Sequence, residues 1–121
     1  MWTYQQSTGQ LSHDGEPIGT GYAGHGTGVN DPAMQDQHNV GPVPQGKYTI
    51  GPSEDRPNSI GAFALPLTPD PANQMFGRTA FFIHGDNMQM NHTASDGCIV
   101  IARTVRNLVA SSGDRQLTVI A

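Results

Sequence analysis

The sequence predicts a mainly β domain with one short α-helix near its C-terminus. Three observations carry that expectation. Short apolar-polar alternations recur between tight-turn signals. Fifteen glycines and nine prolines in 121 residues make the composition turn-dense. Helical spacing of apolar residues occurs once, over residues 101–109. A chain of 121 residues fits one domain, spanning 1–121, with room for a single core and with no linker or internal repeat.

Residues 2–6 and 10–13 read as strands around the Ser7-Thr8-Gly9 turn, and the hairpin dipeptide Asp14-Gly15 leads into a third strand over 16–23. A three-stranded meander is the simple outcome. Residues 24–41 hold four glycines, His25 and His38 but no periodicity, and a loop of that length is expected to be functional or disordered. The double-proline turn over 41–46 feeds a strand over 47–50, and a loop through Asp55-Arg56-Pro57-Asn58 leads to another over 62–67. After a loop over 69–77, residues 79–84 form the most apolar strand, and a short run over 98–101 follows a second loop. Ile101, Val105, Leu108 and Val109 then fall at i, i+4, i+7 and i+8, one face of a helix that ends at Ser112-Gly113 before a final strand over 117–120.

Charge excludes some functions. The net charge is -4, and the six Lys and Arg residues are scattered from Lys47 to Arg115 without a cluster, so a nucleic-acid surface is not expected. Membrane insertion is not expected either, because no apolar run approaches the roughly 20 residues of a spanning helix. The first six residues, Met-Trp-Thr-Tyr-Gln-Gln, lack the basic and apolar regions of a secretory signal, so the chain is expected to be made in the cytoplasm without a signal peptide.

The chemistry concentrates between Phe81 and Val100. An apolar run ends in His84-Gly85, and Cys98, the one cysteine of the chain, follows Ser95-Asp96-Gly97 and precedes Ile99-Val100-Ile101. Both residues therefore sit at strand-loop junctions. Cysteine attacks carbonyls as thiolate, and an imidazole both accepts its proton and stabilises the charge, so Cys98 is the candidate nucleophile and His84 its base. Gly97 completes the catalytic set, since a residue without a side chain lets the Gly97 and Cys98 amides point at a developing oxyanion.

These residues resemble a family. His84-Gly85 and Ser95-x-Gly97-Cys98-Ile99 are similar to the signature of L,D-transpeptidases of the YkuD type, peptidoglycan enzymes with a cysteine nucleophile in a β-rich fold. Trp2-x-Tyr4, Ser7-Thr8-Gly9-x-Leu11, Gly21-Tyr22-x-Gly24, Asn30, Gly41-Pro42-x-Pro44-x-Gly46-x-Tyr48-x-Ile50 and Gly77-Arg78-x-x-Phe81-Phe82-Ile83-His84-Gly85-Asp86 resemble the small branch of type VI secretion effectors. The resemblance spans nearly the whole chain. It implies an L,D-transpeptidase-like β-sandwich or barrel, L,D-carboxypeptidase or L,D-transpeptidase chemistry on peptidoglycan stem peptides, and no cofactor or metal. It also implies delivery by the type VI secretion apparatus to the periplasm of target bacteria, with a cognate immunity protein guarding the producer. Many members carry His before the Gly-Cys pair and Arg two residues after the cysteine; Asp96 and Val100 stand there in this chain.

Candidate substrate contacts are Ser95, Asp96, Tyr22, Gly85 and Arg78. Arg78 or Arg103 is available for a substrate carboxylate, and no spacing argument chooses between them. Asp96 beside the thiol opposes thiolate formation unless it faces away. Each residue also has a local reading: Ser95 as a turn residue, Tyr22 as a core or groove aromatic, and His25, His38 and His92 as solvated loop histidines, with the loop of His25 and His38 a lesser candidate for lining the substrate groove. Two other classes compete with the enzyme. One is a noncatalytic wall-binding or secretion-associated module of the same fold. The other is a zinc-dependent hydrolase built on Cys98, His84 and either His92 or a loop histidine, although the spacing forms no strong ligand motif.

Overall fold

The computed structural model describes residues 1–57, 59–86 and 95–121. Among the described residues, ten strands are laid down in chain order: β1 Trp2–Gln5, β2 Gln10–His13, β3 Glu16–Thr20, β4 Tyr22–Ala23, β5 Gly46–Ile50, β6 Glu54–Arg56, β7 Gly61–Pro69, β8 Phe81–His84, β9 Ile99–Val100 and β10 Gln116–Ile120. One α-helix, α1 over Arg103–Ser111, lies between β9 and β10, as the period change predicts. The expected meander is present. β1, β2 and β3 pair antiparallel in sequence, and Asp14 and Gly15 form a two-residue loop with positive φ at both positions, the geometry that matches strand twist.

The strands follow the order β3-β2-β1-β10-β5-β7-β8-β9-β4, with β6 on the side of β7. The two ends of that path are consecutive in the chain, so the sheet bends into a nearly closed barrel. The expected strand over 16–23 breaks at Gly21, where the chain leaves one edge and joins the other. Gly21 donates its N–H to the Gly9 carbonyl at 2.8 Å, and a Cβ there would collide with the Val100 carbonyl. Only glycine lets the edges approach this closely.

The core follows the alternation of the strands. Trp2 and Tyr4 of β1 face Leu117 and Val119 of β10 in parallel register, and all four are buried. Leu11, Tyr48, Leu65, Leu67, Ile83 and Ile99 fill the same interior.

Two further expectations need correction, for residues 54–56 and for Leu108, and the loop over 24–41 gains definition. Residues 54–56, read as loop, pair with β7; the charged run is poor in β-formers, and the long β7 supplies the template. The loop over 24–41 contains two short 3₁₀ turns, Gly26–Gly28 and Pro32–Met34, the second capped by the Asp31 carboxylate accepting from the Ala33 amide at 3.0 Å. On α1, Leu108 is 53% exposed, whereas Arg106 is buried with Val105 and Val109. Arg106 enters the interior because Ile101, Ala62 and Phe63 offer carbonyls at 3.1, 3.0 and 3.0 Å to its Nε and Nη1. A buried guanidinium is tolerated where its donors are satisfied.

Gly21→Ala is expected to lower the unfolding free energy by about 2 kcal/mol or more, the scale of overpacking a rigid site. Thr20→Ala, one residue away and exposed, should change it by less than about 0.5 kcal/mol. Urea unfolding of the two variants checks this.

Candidate active site

β8 and β9 are parallel neighbours, with Ile83 opposite Ile99 and His84 opposite Val100. Strand residues alternate faces. Ile83 and Ile99 turn into the core, so Phe82, His84 and Cys98 share the other face, where they line one pocket of about 420 Å³. That size lies in the range of small-ligand sites, about 300–1,000 Å³.

Cys98 is half-buried and takes a hydrogen bond on Sγ from the Phe82 amide at 3.3 Å. Its own S–H points to the Ala80 carbonyl at 3.8 Å. Burial pushes the thiol pKa up to about 11, and the Asp96 charge pushes the same way; the Phe82 and Cys98 amides and the Arg78 cation oppose them. The resting group is a thiol. His84 is only 2% exposed. Its Nδ1–H donates to the Gly85 carbonyl at 2.8 Å, since a carbonyl can only accept, so in the neutral ring Nε2 carries the lone pair. Burial lowers its pKa, with Arg106 adding to the effect and the Gly85 hydrogen bond and the Asp86 and Asp96 carboxylates opposing it. The pair is therefore neutral thiol and neutral imidazole.

The turn before Cys98 is held by Ser95 and Arg78. Ser95 Oγ accepts the amides of Gly24 and Gly97, both at 3.0 Å, and donates to the Cys98 carbonyl at 2.6 Å. Arg78 is buried and spends its terminal nitrogens on four carbonyls: Gln35 at 2.6 Å, Pro42 and Gly41 at 2.9 Å, and Asp96 at 3.1 Å. Its guanidinium also stacks over the Phe81 ring at 5.1 Å. Gly97 has φ +137 and accepts the Val43 amide at 2.8 Å, which ties the turn to the double-proline segment.

Of the residues singled out from sequence, Cys98, His84, Asp96 and Arg78 line the pocket. Asp96 is exposed, and its backbone carbonyl rather than its carboxylate bonds Arg78. Ser95, Gly97, Gly85 and Tyr22 are not among the lining residues. Ser95 acts on the backbone of the turn. The Gly97 amide, expected to face an oxyanion, instead donates to Ser95 Oγ; the Phe82 and Cys98 amides are the ones that act on the sulfur. Gly85 holds His84 through its carbonyl, and an added Cβ would meet Arg106 Nη2 at 2.7 Å. Tyr22 is buried, with its hydroxyl on the Asp86 carboxylate at 2.8 Å. Arg103 lies on α1 over the Phe63 ring at 4.4 Å and donates to Asn107, outside the pocket lining.

Phe82 and Arg56 are among the further lining residues and carry no site role from sequence, whereas His38 lines the pocket from the loop read as a lesser candidate for the groove wall. Phe82 was within reach, because it stands two positions before His84 on one strand face. Arg56 carried no local signal. For the zinc reading, His92 lies outside the described residues. Among the described residues, the cluster of three ligating side chains is His13, Asp14 and Asp114, and it does not include Cys98.

The fold and pocket define a small, mainly β domain whose lone cysteine and neutral histidine open into one cleft. The chain belongs to the Tlde1 domain family, whose model matches residues 18–119. This is a family of type VI secretion effectors. No curated protein and no solved structure matches the chain.

Two outcomes follow from this geometry. Alkylation of Cys98 by iodoacetamide should rise with pH toward a midpoint near 11, against about 8.5 for a free thiol; a stopped pH series followed by mass spectrometry reads it. Ser95→Ala strands two amides and a carbonyl, each costing about 1 kcal/mol or more when buried unsatisfied. The variant should lose about 3 kcal/mol in urea unfolding, and its Cys98 should alkylate faster than that of the wild type.

Proposed function

We propose that the chain is a cysteine-nucleophile enzyme of peptidoglycan stem tetrapeptides, an L,D-carboxypeptidase or L,D-transpeptidase deployed as an antibacterial toxin. The observation that carries this reading is the shared pocket of Cys98 and a neutral His84 whose Nε2 carries the lone pair, in a chain of a type VI effector family. A thiol held protonated at rest needs a base at the moment of attack, and a buried neutral imidazole is such a base.

The reaction divides into two halves. In the first, Sγ forms a bond to the carbonyl carbon between the L-centre of the diamino acid at stem position three and the D-alanine at position four, while the thiol proton passes to His84 Nε2. The tetrahedral oxyanion collapses, the C–N bond breaks, and the imidazolium returns the proton to the departing D-alanine amine. A thioester on Cys98 remains. In the second half water or the amine of another D-amino acid attacks the thioester, gives its proton to His84, and releases the thiol. Hydrolysis, exchange and cross-linking differ only in that second nucleophile. The Phe82 and Cys98 amides beside the sulfur stabilise the thiolate of this scheme.

Effector use accounts for the rest of the reading. The substrate lies in the periplasm of target bacteria, the type VI apparatus delivers the protein there, and a cognate immunity protein protects the producer by covering the pocket. None of the described helices is long and apolar enough to cross a membrane.

With purified stem tetrapeptide, mass spectrometry should show loss of the terminal residue with the wild type and none with Cys98→Ala or Cys98→Ser. The hydroxyl of the serine variant is far less acidic than a thiol. His84→Ala should fall by roughly 10²- to 10⁴-fold, the usual worth of a general acid-base group. Normal turnover by any of these variants would remove the assigned role. In a Gram-negative host, the wild-type chain fused to an export signal should stop growth or cause lysis, while exported Cys98→Ala leaves growth normal; equal growth of the two sinks the toxin role.

A further inference from the structure

Arg56 stands on β6, the strand that the sequence did not announce, and lines the pocket together with Cys98. Its guanidinium lies over the Phe82 ring at 4.8 Å, and the amide of that same Phe82 bonds Cys98 Sγ. Its Nε and Nη2 both approach one oxygen of Glu54 at 2.6 Å. Nη1 has no hydrogen bond to any described residue. The Arg56 and Glu54 side chains are 49% and 39% exposed, and such a solvated pair holds its partners weakly. Glu54 therefore orients the fork without sealing it.

The other cations near the pocket are already used. Arg78 has its terminal nitrogens on four carbonyls. Arg106 is engaged by carbonyls at Nε and Nη1, and neither it nor Arg103 is among the lining residues. Among the described residues, Arg56 is the lining cation with an open donor edge. A planar guanidinium seated on an aromatic face and keeping a free edge matches a carboxylate, which it binds through paired charge-assisted hydrogen bonds.

We propose that Arg56 is the carboxylate-binding residue of the pocket: seated on Phe82 and oriented by Glu54, it takes a carboxylate of the peptide whose carbonyl Cys98 attacks. The assignment rests on the proposed peptide substrate for its kinetics, and on the pocket alone for its anion preference. Two substrate groups present this chemistry, the terminal carboxylate of the departing residue and the side-chain carboxylate of the diamino acid. Either one would be drawn to the same fork and would bring the scissile carbonyl to Cys98.

The experiment has two arms. In the first, Cys98 is alkylated at one pH with iodoacetate and with iodoacetamide, and the ratio of the two rates is taken, which cancels the thiolate fraction. Arg56→Gln should lower that ratio by about fivefold or more, Arg56→Lys should lower it less, and Glu54→Gln should raise it. An unchanged ratio in Arg56→Gln overturns the proposal whether or not the protein cleaves peptide. In the second, Arg56→Gln should raise KM on the tetrapeptide by roughly 10- to 100-fold with a smaller change in kcat, as expected for loss of a charge-assisted pair. Amidating the carboxylate that Arg56 binds should bring wild type to the level of the variant and abolish the difference between them. A terminal amide with this effect identifies the departing residue, and a side-chain amide with this effect identifies the diamino acid. A variant penalty that persists on both amidated peptides overturns the assignment. Absence of cleavage by wild type counts against the peptidase reading and leaves the alkylation ratio to decide Arg56.

Discussion

The parallel pairing of β8 with β9 is the constraint on which the rest of the site depends. Parallel neighbours cannot be joined by a tight turn, so the chain must leave His84, travel through the intervening segment and return in register with Ile99 beside Ile83. That return brings Cys98 next to the Phe82 amide and puts the Cys98 and His84 side chains on one face. A slip of one residue would turn Cys98 into the core and Ile99 into the pocket. The register is held at its entry by Ser95, which satisfies two amides and a carbonyl with one hydroxyl, and by Arg78, which gathers carbonyls from the loop, the double-proline turn and Asp96.

Electrostatics in the pocket follow from the same packing. Burial, more than any single charge, moves both titrating groups, raising the thiol and lowering the imidazole. The two shifts favour the same neutral state. Two buried cations frame it: Arg78 favours the thiolate, and Arg106 disfavours an imidazolium. Each is made tolerable by backbone carbonyls rather than by carboxylates, so neither brings a counter-charge that would cancel its field. The site thus keeps its proton on sulfur at rest: Arg78 eases its loss, while burial and Arg106 oppose its arrival on the imidazole.

Much of the fold was legible because the strands are short, alternate cleanly and are separated by turn residues with definite backbone demands. The hairpin at Asp14-Gly15, the apolar strand ending at His84 and the single helix all follow from such local signals. That Cys98 and His84 share one pocket was legible for a local reason, because both stand at strand ends. What local reading missed is what long-range contacts decide. Glu54–Arg56 is a strand only because β7 lies alongside it. Arg106 is interior only because three carbonyls from distant segments converge on it. The Gly97 amide has the right position in sequence for an oxyanion donor, yet a hydroxyl two residues earlier takes it. No periodicity encodes these partnerships.

The protonated state of Cys98 also bears on its durability. Oxidation of cysteine to sulfenic acid and beyond follows thiolate character and exposure. A half-buried sulfur with its pKa raised to about 11 offers little of either. The chain has no second cysteine to resolve a sulfenic acid as a disulfide, so any oxidised sulfur would have no internal route back. A secreted domain leaves the reducing interior where it is made, and for such a molecule a muted thiol is a form of chemical shelter. The same burial that keeps the proton on Cys98 also shields its sulfur from oxidants.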